Sequence, residues 1–114
     1  MEITRGDTKY FKFQRKRKHD SEVIEDLPNK LYFTIKYSNT DENILIQKTL
    51  KNGIKYNTND KYYYITINPE DTNNLPYGKY YYDIEVIKDN NYKQTIAIGE
   101  INITSEVTFY GNEG

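Results

Sequence analysis

His19 is the only histidine in the sequence, and there is no cysteine. Nucleophilic catalysis asks for a nucleophile, a base and an orienting group within reach of one another. Ser21, Ser38 and Ser105 fall in loops or near a strand end, and none sits in a glycine elbow. The six glycines are scattered, so no glycine-rich loop is available to cradle a phosphate. Glu70 and Asp71 are adjacent carboxylates, but a turn after Pro69 explains them. Asp71, Asp83, Glu85 and Asp89 lack the spacing of a calcium loop. Without thiolates, a metal site would fall to one imidazole and carboxylates. These residue types point to a protein that is not an enzyme and holds neither cofactor nor metal.

Three other features offer binding chemistry. Arg5-Gly6-Asp7 spells a cell-adhesion tripeptide, but Gly6-Asp7-Thr8 reads better as the turn that launches the first strand. Arg15, Lys16, Arg17 and Lys18, followed by His19, form the one basic cluster, which suits nucleic acid or an acidic protein surface. Asp20, Glu22, Glu25 and Asp26 follow at once. Sixteen basic against seventeen acidic side chains leave a formal charge of -1. That balance favours a solvated hairpin loop over a polyanion site, and no nucleic acid partner is expected. If the chain docks on another protein, Arg15, Lys16, Arg17 and Lys18 are the candidate contact. The third feature is a surplus of tyrosine, thirteen in all. Stacked on one exposed face, tyrosines would bind a glycan. Strand propensity, and an AT-rich coding sequence, explain the same surplus without a ligand.

The elements that must carry these residues are strands. Apolar residues recur at a spacing of two almost throughout. Residues 10–14 alternate around Phe11 and Phe13. Residues 30–37 place Leu31, Phe33, Ile35 and Tyr37 on one face. Residues 44–50 set Ile44, Ile46 and Leu50 against Leu45, Gln47 and Thr49, and 54–56 add a short edge. Residues 62–68 align Tyr63, Ile65 and Ile67. Residues 79–87 turn Tyr80, Tyr82, Ile84 and Val86 inward and Tyr81, Asp83 and Glu85 outward. Residues 92–98 are less cleanly patterned, and 100–109 align Ile101, Ile103, Val107 and Phe109. Gly99 interrupts this last run and marks a bulge or bend. Turn residues separate the strands at 26–29, 38–43, 57–60 and 89–91. One helical turn is expected at 69–74, opened by Pro69 and capped by Asn68. The expected core includes Phe33, Ile35, Ile65, Ile67, Tyr82, Ile84, Ile101 and Ile103. No apolar run of about 18 residues exists, so no membrane span is expected. The opening residues lack the layout of a signal peptide.

Seven or eight short strands with regular turn signals predict a two-sheet sandwich or small barrel. The most informative stretch is Leu75-Pro76-Tyr77-Gly78-Lys79-Tyr80-Tyr81-Tyr82. A chain crossing the end of a sandwich needs a tight turn, which Gly78 allows, and a tyrosine then starts the next strand. In immunoglobulin-like domains such a tyrosine returns its hydroxyl to the crossing backbone. Leu75, Gly78, Tyr80 and Tyr82 are the candidate corner, with Tyr80 the first choice for the hydroxyl and Tyr82 the second. An apolar core role for the Tyr80 ring is the competing reading. On this reading 62–68 is strand E and 79–87 is strand F, in opposite sheets. Tyr62 and Tyr64 then share no face with Tyr81, which disfavours a continuous aromatic platform. The predicted fold is all-β, an immunoglobulin-like two-sheet antiparallel sandwich of seven to eight strands over residues 1–110, with a loose tail at 111–114.

Arg5-Gly6-Asp7-Thr8 with Phe11 and Phe13, Pro69-Glu70-Asp71-Thr72, Leu75 through Tyr80, Tyr82-Asp83-Ile84-Glu85, Thr95, Gly99 and Glu106-Val107-Thr108 together resemble small bacteriophage virion proteins. The pattern is similar to the N-terminal module of upper baseplate proteins in phages of Gram-positive hosts, and to single-domain phage and prophage structural proteins of low-GC Firmicutes. The resemblance implies a virion structural protein made in the bacterial cytoplasm, with capsid or tail subunits as partners. Baseplate proteins of that type continue into a receptor-binding region, whereas this sequence stops after its last strand. The expectation is therefore an accessory module, leaning to capsid decoration, with a tail or baseplate adaptor as the alternative. A carbohydrate-binding module for host attachment is the alternative of another class, and a regulatory inhibitor that caps another protein is a third.

Overall fold

The computed structural model describes residues 1–17, 19–25, 27–38, 40, 42–88 and 92–106. Eight strands and one helical turn follow in order: β1 (Glu2–Thr4), β2 (Lys9–Phe13), β3 (Lys30–Lys36), β4 (Ile46–Thr49), β5 (Ile54–Asn57), β6 (Tyr62–Ile67), α1 (Pro69–Thr72), β7 (Gly78–Ile87) and β8 (Lys93–Thr104). They form a five-stranded sheet, β1-β8-β7-β3-β4, and a three-stranded sheet, β2-β6-β5. The architecture is all-β.

The two-residue period decides which side chains meet. Leu31, Phe33 and Ile35 of β3, Tyr80, Ile84 and Val86 of β7, and Ile101 and Ile103 of β8 point inward from the large sheet. Ile54, Tyr63, Ile65 and Ile67 face them from the small sheet, all within one buried cluster. Phe33 bridges the two layers, its ring 6.2 Å from that of Phe11 on β2 and 5.6 Å from that of Tyr82 on β7. Across the small sheet, the ring of Tyr63 stacks on Phe13 at 4.9 Å and meets Tyr56 at 4.7 Å. Seven of the eight expected core residues are buried; Tyr82 is only partly so.

The structure corrects several expectations. The large sheet is mixed, not antiparallel throughout: β1 runs parallel to β8, with Ile3 opposite Ile103. The chain then crosses from one sheet to the other through Arg5, Gly6 and Asp7, so the turn launches β2, the second strand. A single apolar residue, Ile3, buries β1 at 1% exposure. β8 runs unbroken through Gly99; the irregularity lies at Ile84/Glu85, where Ile96 has no partner in register. Ile44 and Tyr37 fall outside the strands they were assigned to and are 52% and 47% exposed. Lys48 takes an inward position on β4, buried beside Ile46, and its ammonium reaches the carboxylate of Asp71 at 2.8 Å. The same carboxylate accepts the N–H of Asn68 at 2.7 Å, at the start of α1. This ion pair ties the edge of the large sheet to the helical turn that leads into it. The turn Asn52–Gly53 folds back beneath Lys48: a Cβ on Gly53 would lie 2.5 Å from its Cδ, and φ there is +102°. Val107, Phe109, the loop 89–91 and the tail 111–114 lie outside the described residues. Among the described residues no helix is long and apolar enough to cross a membrane.

Candidate functional site

The corner at 75–82 is built around the crossing from α1 to β7. Leu75 N–H donates to Thr72 C=O at 2.9 Å, closing the helical turn, and the Leu75 side chain packs on the core. Gly78 has φ +138° with open space around its Cβ position, so its backbone angle, not crowding, favours glycine. Tyr80, 2% exposed, donates its hydroxyl to Pro76 C=O at 2.6 Å. Burial raises the Tyr80 pKa, and nearby Tyr37, 5.2 Å away ring to ring, adds to it. Tyr82 makes no corner bond among the described residues. Its ring covers Gly99, its cross-strand partner, where a Cβ would lie 2.5 Å from Cε1.

The adhesion-like tripeptide is locked into this same corner. The Arg5 guanidinium lies 4.1 Å from the centroid of Tyr77, donates to Tyr77 Oη at 2.7 Å and faces Glu106 at 3.7 Å. Gly6 N–H donates to Thr72 Oγ1 at 2.8 Å. A loop that presents Arg and Asp to a receptor would leave both side chains free. Here Arg5 fastens the crossover to the far side of the chain.

The basic cluster begins where β2 ends. Lys16 and Val23 form an isolated bridge, so 15–17 and 22–24 run antiparallel beside each other. Arg17 pairs with Asp20 at 3.1 Å and Glu22 at 2.7 Å, and His19 lies 3.5 Å from Asp20. The carboxylates that follow the cluster therefore consume part of its charge. Arg15 is 5% exposed and faces the phenol of Tyr63; burial raises the Tyr63 pKa, and Arg15 opposes that rise. Lys18 lies outside the described residues.

The tyrosines divide between faces. Tyr62 and Tyr64 lie on the outer face of the small sheet, where Lys12 sits 4.8 Å over the Tyr62 ring and Tyr64 donates to Asp60. That bond lowers the Asp60 pKa and raises that of Tyr64. Tyr32 and Tyr81 lie on the outer face of the large sheet. A depression of about 490 Å³ there is lined by Tyr32, Thr34, Lys36, Asp83 and Glu85, among others, and a smaller one reaches Tyr81 and Ile98. The sharing of a face by Tyr32 and Tyr81 follows from the pairing of β3 with β7, which sequence alternation does not supply.

A groove of about 650 Å³ opens between the two sheets, walled by residues following β2 on one side and by the first half of β8 on the other. Phe13, Ile24, Ile84 and Ile96 line it, together with basic side chains of the cluster. No group of three or more histidines and carboxylates comes together among the described residues. Compared with known proteins, the chain matches no family model, no curated protein and no solved structure.

Proposed function

We propose that this chain is a non-enzymatic docking module of immunoglobulin-like type, serving as an accessory structural protein of a bacteriophage virion. The observation that carries the fold assignment is the strand order. β2-β6-β5 corresponds to strands B-E-D, and β8-β7-β3-β4 to G-F-C-C′. In that frame Tyr80 stands near the start of strand F and bonds back to the backbone at Pro76, the position of a tyrosine corner. The phage assignment rests on the resemblance to virion modules of the motifs from Arg5-Gly6-Asp7-Thr8 through Pro69-Glu70-Asp71-Thr72, 75–80 and 82–85 to Thr95, Gly99 and Glu106-Val107-Thr108. A fold of this kind hosts many functions, and here it offers edges and loops for assembly. Repetition of one weak contact around a particle supplies avidity. The head is the favoured location and the tail or baseplate the alternative.

Electron cryomicroscopy of particles from the phage or induced prophage that encodes the chain tests this. Density for the sandwich on the capsid lattice is the expected result. Density only at the baseplate retains the structural role and rejects the head. Absence of the protein from purified particles rejects the proposal.

One observation favours a second reading, host-surface glycan binding: Tyr32 and Tyr81 share the indented outer face of the large sheet with hydrogen-bonding side chains. A glycan array, with Tyr32→Ala and Tyr81→Ala as controls, tests it.

A further inference from the structure

β8 is twelve residues long, but β1 covers only Asn102, Ile103 and Thr104 of its outer edge. Asn102 N–H donates to Met1 C=O at 2.9 Å, and Arg5 N–H to Thr104 C=O at 3.0 Å. The backbone groups of residues 102 and 104 thus point away from β7. Strand backbone alternates sides with a period of two, so those of Glu100 and Ile98 point the same way. Among the described residues no strand lies there to meet them. β2 is the last strand of its own sheet. The sandwich is therefore open along this side, and the 650 Å³ groove occupies the opening.

The groove has two chemical characters. Phe13, Ile24, Ile84 and Ile96 give it an apolar floor. Lys16, Arg17 and His19 line the rim, Arg15 is buried deeper beside Tyr63, and no described carboxylate lines the groove. Arg17 is engaged by Asp20 and Glu22, while Lys16 meets no described carboxylate within salt-bridge distance. A residue of a packed strand fills roughly 160 Å³, from the rise, strand spacing and sheet spacing of β structure. The groove thus holds a short stretch of extended chain.

We infer that a partner protein docks here by adding an extended segment to the uncovered edge of β8, with apolar side chains turned into the groove and acidic ones reaching the basic rim. Main-chain bonds to Ile98 and Glu100 supply pairing, the floor supplies burial, and Lys16 selects for negative charge. The inference rests on the docking-module reading only in taking the occupant to be a protein.

The probe is an acetylated octapeptide alternating valine and glutamate, titrated into the ¹⁵N-labelled full chain. Saturable binding is expected, with hydrogen exchange at the Ile98 and Glu100 amides slowed about tenfold or more at saturation. Ile98→Pro removes an edge donor that faces away from β7 and is expected to weaken binding about tenfold. Lys16→Glu lies on the rim, leaves the sheet intact and is expected to weaken it several-fold. If Ile98→Pro does not fold, Lys16→Glu and the exchange rates of the unaltered chain carry the test. No binding at millimolar peptide overturns the inference, as does binding that leaves both amides unprotected or is insensitive to the substitutions. A chain absent from virions that still captures the peptide rejects the virion reading alone. A chain that assembles into virions normally as Ile98→Pro rejects the edge inference alone.

Discussion

The ring of Tyr82 lies on the backbone of Gly99 directly across the β7–β8 ladder, filling the space where any other residue would place its Cβ. The aromatic covers a glycine that would otherwise weaken the strand. Gly99→Ala would bring its Cβ to 2.5 Å from Cε1 and drive the ring off its contact with Phe33. Chemical denaturation should show a loss of roughly 1–3 kcal/mol, the usual effect of overpacking. In a Tyr82→Ala background the same substitution should be neutral or stabilising, and a double-mutant cycle reads that coupling.

Tyr80→Phe keeps the ring and deletes the hydroxyl that meets Pro76 C=O. The loss should be about 1 kcal/mol, the net worth of one hydrogen bond, because the exposed Pro76 carbonyl can turn to water instead. An unchanged denaturant midpoint would show that only the ring matters.

Stability should fall at alkaline pH. The phenols of Tyr80 and Tyr63 are raised above the ordinary value of 10.0, both chiefly by burial. The folded state therefore holds these protons more tightly than the unfolded state. Their contribution is complete below pH 10 and is lost as pH climbs through the raised folded-state values. Thermal melts across the alkaline range, repeated with Tyr80→Phe, should show a shallower decline in the variant.

Removing one partner of the Lys48–Asp71 pair leaves the other, buried Lys48 or partly buried Asp71, without its counter-charge. Lys48→Ala or Asp71→Ala should each destabilise by roughly 2–4 kcal/mol, the double variant by less than their sum. Lys48→Met with Asp71→Asn, which keeps volume and removes both charges, should be nearly neutral. Urea titrations of the four proteins decide the coupling.

Ile84 is 5% exposed at the point where β7 and β8 slip register. Ile84→Ala should cost about 2–5 kcal/mol by urea denaturation. A loss under about 0.5 kcal/mol would mean the neighbouring groove tolerates the cavity.

Alternation makes the faces of β3 and β6 legible, because buried Leu31, Phe33, Ile35, Tyr63, Ile65 and Ile67 are spaced by two, with Thr34 on the other face of β3 buried as well. It fails where a long-range partner rewrites the rule. Lys48 falls on the face of Ile46 by alternation, but the carboxylate that meets its charge there, Asp71, lies far along the chain. Gly99 reads as an interruption because the sequence shows the missing side chain but not the tyrosine opposite. β1 offers one apolar residue between a glutamate and a threonine, too little for any pattern to register. The open edge of β8 is invisible for the same reason: it is defined by how little of β8 the short β1 covers. Pro76 and Gly78 mark where β7 begins, but which oxygen the Tyr80 hydroxyl reaches is a matter of three-dimensional crossing.

The parallel pairing of β1 with β8 sets Ile3 against Ile103. During synthesis β1 has no ladder to join until β8 has emerged. Loop closure over nearly the whole chain must precede that contact, and such non-local pairings form late and slowly. Until then Ile3 and the inner face of β8 are both uncovered, and a nascent chain is most exposed to wrong partners at that stage. Closure of this side of the fold therefore waits on a contact between segments about a hundred residues apart.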